Sequence, residues 1–351
     1  MLDSMKKNSD LTAALATATP TTANTVTSAW RLKQFKEKAI EYLLATFTVM
    51  SAVLIFFIMY FVIRRALPVF QASGIGFIFR GGWDAQFMTS WQAPADQPSW
   101  IFGALPLVMG TIYTTVGALL IAIPLGLGCA IFLVEMCPSW LRVPLTTTVR
   151  LLAAIPSVIY GLVGLIVVVP VIAHTLISNQ MAMNMIDIAA LDGTSILAGM
   201  IVLSIMIGPI FIALSSDALR AVPRSYKEAA FALGISQWRT ILKVMLPVAR
   251  QGIIAGAILA TGRAIGEAIA LSMVSGGVAS LPDFQHGLVF FLEPVRTLAS
   301  AIVNNSEGML VPTCESALFA CATLLLLSSV ALSVMATWVS GMVRKGVQRH
   351  V

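Results

Sequence analysis

Charge is what this chain has least of. Only 11% of its 351 residues are Asp, Glu, Lys or Arg, against about 25% in soluble domains. Histidine is sparse: His174, His286 and His350 are scattered and no H-E-x-x-H occurs, so a zinc protease has no support. The four cysteines, Cys129, Cys137, Cys314 and Cys321, form no C-x-x-C pair. They read as small apolar side chains rather than as a disulfide or metal site. No paired aspartates or Gly-Ser nucleophile constellation points to an intramembrane enzyme. No G-x-x-x-x-G-K-[ST] cradle is present to hold ATP. The sequence thus offers no catalytic residue, no metal ligands and no cofactor site.

What is abundant is apolar surface. The chain is 58% hydrophobic, with a mean hydropathy of +0.89. A soluble fold of this size could not hide that much, so the solvent is mostly lipid. A crossing needs about twenty mostly apolar residues. Six segments qualify, at about 42–63, 104–134, 151–177, 196–216, 252–275 and 316–340. The fold class is therefore an all-α polytopic membrane protein with six transmembrane helices. The expected organisation is a disordered tail over 1–38, a first transmembrane helix over 39–66 and an external loop over 67–100. A core with the other five helices follows over 101–343, then a C-terminal segment over 344–351. The first thirty residues are polar and lack an apolar run of signal-peptide length. Pro156 and Gly208-Pro209 are expected to interrupt spans three and four. The tryptophans of the first outer loop suit a membrane interface.

Basic residues set the orientation. Seventeen of the 22 Lys and Arg fall in the two terminal segments and the loops after spans two and four, and four fall on the other side. By the positive-inside rule both termini and the 217–250 loop are cytoplasmic. The net charge of +6 then reflects orientation, and no nucleic-acid surface is needed to explain it.

Two places carry functional chemistry. The first is EAAFALGISQWRTILKVMLP, residues 228–247. Ala229, Ala230 and Leu233 share a helical face, and Gly234 can end that helix. Trp238, Ile241, Leu242 and Met245 repeat at helical spacing and predict a second amphipathic stretch. The second place is Arg263 with Glu267, four apart in span five, where a continuous helix would let them touch. A charge at membrane depth costs roughly 2.5–3.5 kcal/mol. Such residues face a bundle interior or a water-filled path, and a guanidinium suits an oxyanion. A structural ion pair remains the alternative. Ser157, Gly161 and Gly164 form a small or polar strip in span three that serves packing, path lining or both.

The set Glu228-Ala229-Ala230, Gly234 and Leu246-Pro247 resembles the EAA loop of prokaryotic ABC-importer permeases. FGALPLVMGTIYTT (102–115), IPLGLGCAIFLVEMCPSWLR (123–142), LLAAIPSVIYGLVGL (151–165) and GRAIGEAIALSMVSG (262–276) are similar to permeases of the phosphate-specific ABC importer, most of all the C-type subunit. The resemblance covers about residues 100–340. It departs at Gly277-Val278, where the family usually has Gly-Asn. It implies a type I ABC-importer permease fold in a prokaryotic inner membrane. It also implies a translocation path shared with a second permease subunit, an ATP-binding ATPase dimer as motor and an external phosphate-binding protein. On that basis Glu228, Ala229, Ala230 and Gly234 couple to the ATPase, and Arg263, Glu267 and Ser157 belong to the substrate path. A sulfate or molybdate importer permease is the alternative.

Overall fold

In hydrocarbon a helix bonds every backbone N–H and C=O within its own segment. The apolar runs follow that rule. The computed structural model describes residues 20–94, 98–178, 180–181, 183 and 190–348. Among these, six helices are long and apolar enough to cross a membrane: Glu37–Ser73, Leu105–Met136, Ser157–Leu176, Ile196–Arg220, Gln237–Ile265 and Pro312–Met335. They are called spans one to six below.

The chain divides into two units, Met1–Phe61 and Val62–Val351. The described part of the first unit is helical, and belongs to the helix Pro20–Ser73. Residues 20–38 are therefore helix rather than the expected disordered tail, and residues 1–19 lie outside the described set. Extending an existing helix adds a hydrogen bond per residue without a new nucleation cost, so polar residues beside a span join it readily. Apolar side chains such as Phe47, Leu54 and Phe57 are exposed, as suits contact with lipid. The Thr46 and Thr48 hydroxyls donate to the carbonyls of Tyr42 and Leu44, at 2.8 and 2.9 Å, which hides polar groups within the apolar stretch.

In the second unit span four is the axis. Its Leu203, Ile207 and Phe211 are buried with Ala118 of span two, Val169 of span three and Ala260 of span five. Small residues let the helices approach closely. A Cβ on Gly252 would lie 2.4 Å from the Ala218 Cβ. Span four is continuous through Gly208-Pro209, contrary to expectation. Span three starts at Ser157, with Pro156 as its N-cap and not as a kink inside it. Residues 139–153 form a separate helix without a buried side chain. Proline has no N–H to lose at a helix start, so that position tolerates it best.

The loop between spans one and two is shorter than the expected 67–100, because the helix of span one runs on to Ser73. It holds helices at Gly76–Phe79 and Trp83–Gln92. Trp83 is fully buried with Phe77, Phe87 and Phe102, its ring stacked on Phe87 at 5.7 Å. It is a core residue and not an interfacial one. Asp84 ties this loop to the segment between spans five and six. It accepts from Arg296 Nη1 at 2.6 Å and from the Ala279 amide at 2.8 Å. All four cysteines are free; Cys137, Cys314 and Cys321 are buried and Cys129 is exposed.

Candidate functional site

The EAA segment folds as a nine-residue helix, Arg224–Ala232, started by Pro223. Its end is a Schellman motif. Gly234 lies at φ +73°, its amide donates to Phe231 O at 2.9 Å, and the Ile235 amide donates to Ala230 O at 3.1 Å. The glycine is there because L side chains resist that left-handed conformation. Glu228 and Ala229 are exposed and Ala230 is buried. One alanine thus packs inward while its neighbours face outward. Tyr226, Phe231 and Leu233 are exposed on the same short segment.

The expected second amphipathic helix is not a separate element. Residues 237–265 form one continuous helix, with a π-helical turn at Ile241–Met245 just before Pro247. Proline would cost an ordinary helix a hydrogen bond and a clash, and the wider turn accommodates it. Ile241 and Met245 are buried, while Trp238 and Leu242 are exposed. The connection between spans four and five thus covers residues 221–236 rather than 217–250.

Span five also differs where the charges lie. Its helix stops at Ile265, and a short helix resumes at Ile269–Val274. Arg263 and Glu267 therefore sit on opposite sides of a break, and no ion pair joins them among the described residues. Glu267 is buried at 8% exposure, and its Oε1 accepts the Ala270 amide at 3.1 Å. Its carboxylate caps the resumed helix, where negative charge is favoured. Periodicity counted through Gly266 could not reveal a break, because glycine is only mildly unfavourable within a helix.

Arg263 is exposed and lines a cavity of about 730 Å³ between spans four, five and six. Ile210, Gly262, Ser329 and Ser333 line it as well. In span three the Tyr160 hydroxyl donates to Leu152 O at 2.8 Å. Ser157, half-buried one turn before Tyr160, does not line that cavity, and neither does Glu267. Of the three residues expected along a path, only Arg263 faces this space. Ser329 and Ser333, which share the cavity with Arg263, were missed from the sequence. Hydroxyls inside apolar runs were the available signal, and many such residues only bond their own helix backbone.

A family model described as binding-protein-dependent transport system inner membrane component matches residues 122–345. The chain belongs to that family. It is a multi-pass membrane permease. It is 39% identical over 224 residues to the probable ABC transporter permease protein YqgH of Bacillus subtilis, covering 63% of this chain and 68% of that protein. It is 35% identical to the phosphate transport system permease protein PstC of Pasteurella multocida, covering 67% of this chain and 70% of that one. It is likewise 35% identical to PstC of Xylella fastidiosa, with 78% of this chain and 80% of that one covered.

Proposed function

We propose that this chain is a permease subunit of an ATP-driven phosphate importer, C-type, and forms the translocation path with a second permease subunit. A binding protein outside delivers phosphate. One subunit of an ATPase dimer seats against the exposed face of the Arg224–Ala232 helix, around Glu228, Ala229 and Gly234, and its movement rocks the spans. Both termini and the docking helix are cytoplasmic, in keeping with the bias of basic residues. The ATPase activity belongs to the partner.

One observation carries the reading. Arg263 presents a guanidinium to a cavity among apolar spans, and among the described residues it forms no ion pair with a carboxylate. An unneutralised charge at that depth is costly unless it faces water, a partner or a substrate. An oxyanion meets its planar fork of donors well. The names of the PstC relatives make phosphate the substrate of choice. Glu267 serves that site through the backbone, by fixing where span five breaks.

Uptake of labelled phosphate by membranes holding the assembled transporter tests this, with sulfate and molybdate as competitors. Competition by unlabelled phosphate alone supports the reading. Equal competition by sulfate or molybdate moves the chain to those importers.

A further inference from the structure

Three elements meet at Glu135. It lies in the π-helical turn Phe132–Met136 that ends span two, and its side chain is only 5% exposed. Its carboxylate pairs with Lys227 of the docking helix. Its backbone carbonyl accepts the Gln237 side-chain amide at 3.5 Å, at the start of span five. Lys227 is itself two-thirds covered, and its ammonium lies 5.9 Å from the centre of the Phe231 ring.

The docking helix has little other hold on the body. Ala230 is its one buried side chain. Behind it the ends of spans two, four and five are packed together through Ile131, Leu219, Ile241 and Met245. Among the described residues, a push on the helix therefore has one polar route into that cluster. Removing one member of a buried pair strands the other charge, so such a link resists being pulled apart.

On the reading of this chain as an ATP-driven importer subunit, we infer that the Glu135–Lys227 pair is the joint that passes movement of the docking helix to span two. Both are positioning residues. They act after the ATPase has seated, and the exposed face that receives the ATPase does not include the buried carboxylate.

The test is made on the assembled transporter in proteoliposomes, with inorganic phosphate inside-transport and ATP hydrolysis measured together. E135Q and K227Q are each expected to retain the ATPase on copurification and to go on hydrolysing ATP. Phosphate imported per ATP hydrolysed should fall at least tenfold. The charge exchange E135K/K227E should recover a large part of that ratio. An unchanged ratio in either single variant overturns the inference. So does loss of the ATPase from the single variants, which would make the pair a folding or docking element, or an exchange no better than the single changes. If the unaltered chain neither holds an ATPase nor imports phosphate, the importer reading fails first, and the two failures are told apart.

Discussion

Glu267 is turned to the Ala270 amide, which donates to its Oε1 at 3.1 Å, and not to Arg263. The pair therefore separates into a cap and a cation that, among the described residues, has no ion pair. Arg263→Gln should lower phosphate uptake at least tenfold with assembly intact. Glu267→Gln keeps an oxygen for the cap and should leave more than half of uptake. Glu267→Ala loses it, and should destabilise the fold by about 1 kcal/mol, read as a lower thermal midpoint in detergent. Equal loss of uptake in Arg263→Gln and Glu267→Gln would mean that the carboxylate does more than cap.

Gly234 gives a second test. Space is open around it: beyond its chain neighbours, no atom of the described residues lies within 4 Å of where a Cβ would stand, so its positive φ is what resists substitution. Gly234→Ala should destabilise the end of the docking helix by roughly 1–2 kcal/mol and weaken copurification with the ATPase. Gly234→Asn should be milder, since asparagine visits that conformation more readily. Identical behaviour of the two variants would sink the argument from φ.

Gly110 is constrained by space instead. A Cβ there would lie 2.4 Å from the Arg296 carbonyl oxygen, next to the bond from the Leu298 amide to Thr111 Oγ1 at 2.9 Å. Gly110→Ala should cost about 1–3 kcal/mol through overpacking. Thermal unfolding of the purified chain measures it, and an unchanged midpoint would show that the segment around Arg296 yields freely.

Asp84 bonds both Arg296 and the Ala279 amide. Asp84→Ala should cost about 1–2 kcal/mol, reduced from a buried-pair value because Asp84 is partly exposed. Limited proteolysis of the loop around Ala279 should speed up accordingly. No change in cleavage would leave the tie without mechanical importance.

Topology is tested at Trp238, which is 56% exposed at the start of span five. Trp238→Cys, in a chain whose exposed Cys129 is replaced by Ser, should react with a membrane-impermeant thiol reagent only from the cytoplasmic face. Labelling from outside intact cells would reverse the orientation assigned here.

The sequence made the spans legible because lipid leaves few choices. All six expected segments overlap observed spans, and the error is in their ends. Residues 151–156 were joined to span three since they are apolar, yet Pro156 starts a new helix there. Span five was read as 252–275 since hydropathy does not register a break such as that at Gly266. The Arg224–Ala232 helix was legible through its small residues and terminal glycine. The partner of Lys227 was not, because Glu135 is 92 residues away. One clue existed: Glu135 is the lone ionisable carboxylate in span two, and a buried charge needs a mate.

Among the described residues, three helices widen into a π turn shortly before a proline: Phe132–Met136 before Pro138, Gly164–Val168 before Pro170 and Ile241–Met245 before Pro247. Each holds one residue more than a regular coil of that length requires. Deleting a single residue from 241–245 should therefore be tolerated where the same deletion in span four would rotate every downstream side chain by about 100°. The molecule carries built-in slack at these points, two of which adjoin the Arg224–Ala232 helix proposed to meet the ATPase.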